Sequence, residues 1–323
     1  MNFTQTEKKL LKQGNVFFEA GLLDDAITIY RQVIEINPEN FAANHNMANS
    51  LANKELYEEA NIYYLYALKL DPTDNDIHYN YANCLASQGR LDEAIVEYKE
   101  AILLNPGNAD NHFNLAYTYM KNQDWREAIS GFRHVLKLDQ SDAQSYNNIG
   151  ICLRRSDEVV ASITEFKRAI NYKPNFFEAH YNLAKSLKQT QNVDGAIMEY
   201  KNAIGIGADA ADLADAHHFL GQALQEVDKI DEAINEYQIA VKLAPNRYEA
   251  HISLGTALHE IGLPNEAVTK YKVGLSLLPS ASYLRSDEIT IYQLLADSYA
   301  DLGRLDLAAD YRYKAGEQIM LRS

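Results

Sequence analysis

The feature that most constrains this chain is a period of 34 residues running almost from end to end. The tetrapeptides Asp24-Asp25-Ala26-Ile27, Glu58-Glu59-Ala60-Asn61, Asp92-Glu93-Ala94-Ile95 and Arg126-Glu127-Ala128-Ile129 recur at that spacing. Counting outward from them, units begin at Glu7, Phe41, Asn75, Ala109, Ala143, Phe177, Ala214, Tyr248 and Ile289. Position 8 is Gly or Ala throughout: Gly14, Ala48, Ala82, Ala116, Gly150, Ala184, Gly221, Gly255 and Ala296. Position 20 is Ala except in the fifth unit, which has Ser162. Position 24 is aromatic in eight units (Tyr30, Tyr64, Tyr98, Phe132, Phe166, Tyr200, Tyr237, Tyr271), and Arg312 stands there in the ninth. Six of the seven prolines fall at position 32: Pro38, Pro72, Pro106, Pro174, Pro245 and Pro279. A length of 323 residues would ordinarily suggest two globular domains, but a chain that repeats itself is read as an array.

Each recurring residue has a mechanical reason. Positions 4, 7, 8 and 11 share one stripe of a first helix, and positions 20, 24 and 27 one stripe of a second. Small residues at 8 and 20 let the two helices approach, and the aromatic at 24 is expected to fill the space between one unit and the next. A turn near position 15, with Gly21, Gly89, Gly262 and Gly303, ends the first helix. Proline at 32 ends the second, because it lacks an N–H and clashes with the preceding turn. The exception, Pro264, begins a second helix, where proline is tolerated. One such pair cannot bury its apolar stripe alone, so the units must stack.

This pattern resembles the tetratricopeptide repeat (TPR) family. The resemblance implies an all-α, right-handed α-solenoid superhelix of tandem helix-turn-helix repeats, forming a single domain over 7–321. Its nine repeats are 7–40, 41–74, 75–108, 109–142, 143–176, 177–213, 214–247, 248–288 and 289–321, the last helix acting as cap. Local departures are Gln140 and Ala208 in place of the terminal proline, and insertions at 211–213 and 282–288. Either insertion should loosen the superhelix or extend a helix by a turn.

The resemblance also implies that first helices line a concave surface, so their non-core positions decide what is bound. Position 6 reads Asn46, Asn80, Asn114, Asn148 and Asn182, and position 9 adds Asn15, Asn49 and Asn83. Asparagine inside a helix costs several tenths of a kcal/mol relative to Ala, while its carboxamide both donates and accepts. Such a row could bond successive peptide groups of an extended chain without reading its side chains. It could equally be an inherited, solvated row copied by duplication. The row and the segment 179–204 are similar to the asparagine-lined arm of O-linked N-acetylglucosamine transferase, which implies partner capture rather than sugar transfer. Arg154, Arg155, Lys185 and Lys188, with Lys121, form a possible positive patch for an acidic or C-terminal carboxylate. Tyr117, Tyr79, Phe113, Tyr181 and Phe219 are possible apolar anchors. The lysine-before-asparagine clamp of chaperone-binding members is not matched, since Leu11 precedes Asn15 at that spacing.

Other signals point away from catalysis. His78, His112, His180, His217 and His251 all occupy position 4. Packed helices lie roughly 8–10 Å apart and zinc ligands about 2 Å from the metal, so these histidines should pack within their own helical pairs. Cys84 and Cys152 share position 10 of non-adjacent units, too far apart to be bridged, and suit a reducing, cytoplasmic setting. A formal charge of −15 argues against nucleic acid and anionic membrane surfaces, and no apolar run approaches the ~20 residues of a membrane span. The expectation is a non-enzymatic scaffold, without cofactor or metal, that binds protein or peptide segments through Asn46, Asn49, Asn80, Asn83, Asn114, Asn148, Asn182, Tyr117, Arg154, Lys185 and Lys188. Two alternatives stay open: the substrate-recognition arm of a glycosyltransferase-type enzyme, and an assembly factor acting by self-association.

Overall fold

The computed structural model describes residues 3–279 and 285–320, and all regular structure among them is helical. The helices run as pairs: α1 (Phe3–Glu19) with α2 (Leu23–Ile36), α3 (Phe41–Asn53) with α4 (Tyr57–Leu70), α5 (Asn75–Ser87) with α6 (Leu91–Leu104), and α7 (Ala109–Lys121) with α8 (Trp125–Leu138). Then come α9 (Ala143–Arg155), α10 (Val159–Tyr172), and the pairs α11 (Phe177–Gln189) with α12 (Val193–Ile206) and α13 (Ala210–Glu226) with α14 (Ile230–Leu243). The last are α15 (Tyr248–Glu260) with α16 (Pro264–Leu277) and α17 (Arg285–Asp301) with α18 (Leu305–Met320). They form two compact units, one up to Asp157 and one from Glu158 onward. In the first, α1, α3, α5, α7 and α9 touch in succession; in the second, α13, α15 and α17 do.

The sequence places both ends of the first helices. Asn40, Asp74, Asn108 and Asp142, all at position 34, accept hydrogen bonds from backbone N–H groups of the helix they precede. At the other end every unit turns through a residue in the left-handed region at position 15. Glycine fills it four times (Gly21, Gly89, Gly262, Gly303), and Glu55, Gln123, Asp157, Gln191 and Asp228 fill it otherwise, with φ of 61° to 66°. A Cβ makes that conformation costly, partly offset by the greater unfolded-state freedom of glycine. Gln123→Gly should therefore raise the unfolding free energy by about 0.5–1 kcal/mol, read from the urea midpoint.

Position 24 does more than fill the space between units. Its ring packs closely on position 8 of its own unit: a Cβ added to Gly14 would sit 2.5 Å from Tyr30 Cε1, and one added to Gly221 2.6 Å from Tyr237 Cε1. The same rings also meet the next unit, as Tyr64 meets Tyr81 at 5.4 Å between centroids. In the last pair Arg312 is exposed, 3.7 Å from Asp297, and Tyr311 stacks on Tyr299 at 5.6 Å instead.

Insertions lengthen helices. α13 and α17 each have 17 residues, against 13 in α11 and α15. Residues 282–284 of the second insertion, and Leu321, lie outside the described residues.

Candidate peptide-binding face

The asparagines stand on the first helices, where Asn15, Asn46, Asn49, Asn80, Asn83 and Asn114 are each held by a neighbour. Asn15 Oδ1 accepts from the Tyr30 hydroxyl (2.9 Å) and from Asn46 Nδ2 of the next unit (2.9 Å). Asn83 Oδ1 likewise accepts from Tyr98 (2.5 Å) and Asn114 Nδ2 (3.2 Å), and Asn114 Nδ2 also donates to the Tyr79 hydroxyl (2.9 Å). Asn49 Oδ1 accepts from Tyr64 (2.7 Å), and Asn80 Nδ2 donates to His45 Nε2 (3.0 Å). Position-9 asparagines thus act first as acceptors for the phenol at position 24. A carboxamide offers two donors and two acceptor lone pairs, so these bonds orient each amide without exhausting it. Asn46, Asn49, Asn80, Asn83, Asn114 and Asn148 are half-buried, whereas Asn182 in the second unit is buried, only 9% exposed.

A signal for this linkage was present in the sequence. In five units an amide or aliphatic hydroxyl at position 9 goes with tyrosine at position 24: Asn15/Tyr30, Asn49/Tyr64, Asn83/Tyr98, Gln222/Tyr237 and Thr256/Tyr271; the ninth unit has Asp297 with Arg312. Where position 9 is Tyr117 or Ile151, position 24 is Phe132 or Phe166. Tyr271 donates to Thr256 at 3.4 Å, while Tyr237 reaches Gln225 rather than Gln222, at 3.0 Å.

The position-4 histidines lock one unit onto the last. His78, His112, His180 and His251 place Nε2 at 2.9–3.1 Å from the carbonyl oxygens of Pro72, Pro106, Pro174 and Pro245. Asn44 and Tyr146 donate to the equivalent carbonyls of Pro38 and Gln140. The other ring nitrogen meets a carboxylate on the second helix: His78 with Glu97 (2.7 Å), His180 with Glu199 (2.6 Å) and His217 with Glu236 (2.6 Å). A ring that faces two acceptors must donate from both nitrogens, so hydrogen bonds from His78 to Glu97 and from His180 to Glu199 hold these imidazoles above their ordinary pKa. Among the described residues no group of three His, Cys, Asp or Glu could hold a metal ion. Burial pushes the free thiols of Cys84 and Cys152 up to about 11 and about 12, which makes them poor nucleophiles.

The lysines of the expected basic patch lie against rings and a carboxylate. Lys188 pairs with Glu226 (3.6 Å), and Lys185 lies over the rings of Phe219 (4.7 Å) and Tyr181 (5.1 Å). Lys121 covers Tyr117 at 5.3 Å, and that ring is 39% exposed. Arg154 is half-buried at the end of α9, in the other unit from Lys185 and Lys188. In a chain this acidic, lysines settle on aromatic faces and carboxylates. The aromatics likewise pack: Phe113 meets Phe132 edge-on at 5.3 Å, and Tyr181 meets Phe219 at 6.0 Å.

Sequence reasoning missed the clefts of the second unit. One of about 310 Å³ is bounded by Lys185, Lys188, Phe219 and Glu226. Another, of about 380 Å³, lies among α13, α15 and α17. The first unit has an apolar groove of about 650 Å³ on its second helices, lined by Ile34, Ile62, Leu65 and Tyr66.

Helix pairs repeated at one period, with their polar chemistry gathered on one helix face, define a helical-repeat protein. Models of the TPR repeat and tetratricopeptide repeat match residues 14–55, 63–96, 82–123, 113–173 and 220–282, about two thirds of the chain. The chain belongs to the tetratricopeptide repeat family, whose members generally mediate protein–protein interactions. No curated protein matches it significantly. Among solved structures, the C-terminal part of a TPR repeat-containing protein from Cytophaga hutchinsonii is similar with a TM-score of 0.63 at 15% identity, covering 76% of this chain and 99% of that one. A tetratricopeptide repeat protein from Parabacteroides merdae gives 0.59 at 16%, covering 79% and 99%. These likenesses show the fold alone. Among the described residues no helix is long and apolar enough to cross a membrane.

Proposed function

We propose that the chain is an interaction scaffold that holds an extended segment of a partner against its first-helix face. The observation that carries this reading is the row of carboxamides Asn46, Asn80, Asn114 and Asn148, one per repeat and half-buried. Three of them are oriented by hydrogen bonds to neighbouring first helices. Oriented amides lose little freedom when they bond a peptide backbone, which favours binding. Tyr117 adds an exposed ring to the same helices. Buried, unreactive thiols suit a reducing, cytoplasmic setting.

The test is a pull-down with wild type and a variant carrying Asn46→Ala, Asn80→Ala, Asn114→Ala and Asn148→Ala, with helicity checked by circular dichroism. The folded variant should lose most of the bound proteins. An unchanged set overturns the amide row as the binding element.

The same row would serve the recognition arm of a glycosyltransferase-type enzyme, and a catalytic subunit among the captured proteins would favour that form of the reading. A second reading, self-association, is favoured by the groove of Ile34, Ile62, Leu65 and Tyr66 on the second helices. Light scattering that reports a monomer at all concentrations would remove it.

A further inference from the structure

The cleft among α13, α15 and α17 belongs to no repeat rule. Its far wall includes Asp287, which stands in the turn added to α17 by the second insertion. The Tyr248 hydroxyl donates to Asp287 Oδ2 at 2.8 Å and ties that added turn to the start of α15. Stacking mechanics do not require this arrangement, since seven of the nine units have no such insertion.

We propose that this cleft takes a basic side chain, arginine or lysine, of a bound polypeptide. The proposal rests on the scaffold reading above but uses a different surface from the amide row. Its first support is charge. Arg247 pairs with Asp215 and stands 3.9 Å from Glu249, so its charge is already matched, and Glu249 and Asp287 line the same cleft. The lysines nearer α11 do not offset that excess: Lys188 is paired with Glu226, and Lys185 is seated on Phe219 and Tyr181. Phe219, Tyr248 and Ile252 give an apolar wall for the methylene stem of a long cationic side chain. The net charge of −15 steers basic partners toward the chain.

A second, independent observation is His218, which lines the cleft and is only 4% exposed. Burial keeps it neutral, pushed down to about 4. Its Nε2 lies 2.9 Å from the Ser253 hydroxyl and 3.3 Å from Gln222 Nε2. Its Nδ1 is buried and has no hydrogen-bond partner within the protein. A buried polar atom left unpaired is costly, and a polar group of the bound polypeptide can supply the partner it lacks. The volume, about 380 Å³, is within the usual ~300–1,000 Å³ of ligand clefts.

The test is isothermal titration with blocked pentapeptides, acetyl-Gly-Ser-Xaa-Ser-Gly-amide, in which Xaa is arginine, norleucine or glutamate. The arginine peptide should bind, with the other two at least about tenfold weaker. Asp287→Asn keeps an acceptor for Tyr248 but removes the charge, and should weaken the arginine peptide about tenfold with an unchanged melting temperature. The four-asparagine variant should bind it as wild type does. Equal binding of the three peptides, no binding of the arginine peptide at millimolar concentration, or an unaffected Asp287→Asn overturns the proposal. Loss in the asparagine variant with retention in Asp287→Asn would move the basic side chain to the amide row, overturning the cleft and leaving the scaffold reading intact.

Discussion

Phe132→Ala is expected to lower the unfolding free energy of the first unit by about 3–5 kcal/mol, the range for emptying a buried aromatic site. Phe132 is fully buried and packs with Ala116, Ala128, Ile149 and Cys152, so its ring joins the fourth helix pair to the first helix of the next. Its neighbours are largely small or fixed in helices, which limits how far the site can collapse. Having no hydroxyl, it makes no bond to position 9, and the loss measures packing alone. The control is Val96→Ala on α6, where the side chain is 56% exposed and surface substitutions stay within ~0.5 kcal/mol. Urea unfolding followed by circular dichroism compares the two. Since each repeat is stabilised by its neighbours, the Phe132 variant should also unfold over a broader range. A loss below about 1 kcal/mol would show that position 24 is not the packing centre of its pair.

The second large effect is at the His180 clasp. His180→Leu removes the donor to Glu199, a carboxyl group itself only 9% exposed. It should cost about 2–3 kcal/mol near pH 6, the worth of a hydrogen bond to a charged group and the penalty for stranding it. The pH dependence has a definite sign. His78 and His180 bind their protons more tightly in the folded chain, through Glu97 and Glu199. Their contribution is complete below the ordinary histidine value, ~6.5, and is lost as pH rises through the higher folded value. Burial works to raise the Glu199 pKa, but hydrogen bonds from His180 and Asn202 outweigh it and hold it below the ordinary carboxylate range. Its contribution is present above the ordinary glutamate value, ~4.3, and is lost as pH falls through the lower folded one. Burial lowers the pKa of His45, His134 and His218, whose contributions change the opposite way. From pH 6 to pH 8 stability should therefore fall more, or rise less, in wild type than in a variant carrying His78→Gln and His180→Gln. Equal slopes in the two proteins would show that the clasps do not titrate in this range.

Much of the site was legible residue by residue, and less of it pair by pair. The row of Asn46, Asn80, Asn114, Asn148 and Asn182 is visible from spacing, because one helix face recurs every 34 residues. That Asn182 is buried while its equivalents are half-exposed is not visible, since the five share one residue type and one register. The link between position 9 and position 24 was available as paired choices, polar with tyrosine and apolar with phenylalanine. The surroundings of the lysines were not visible either. Lys185 and Lys188 occupy outward positions of α11, but a flexible cation goes to whatever ring or carboxylate packing brings near, here Phe219 and Glu226.

What the sequence determined by itself is the helical array: where helices start, where they turn, and which stripe each buries. Those properties depend on residues within one period, through capping, left-handed turns and the 3.6-residue repeat of the helix. Tertiary structure alone decided which polar groups remain available. Asn15 and Asn83 are drawn into bonds with the next repeat, the position-4 histidines close on proline carbonyls, and Asp287 meets Tyr248 across 39 residues of chain. A hydrogen bond is made or lost over a few tenths of an ångström. Helix packing sets distances that fine, and residue spacing along the chain does not.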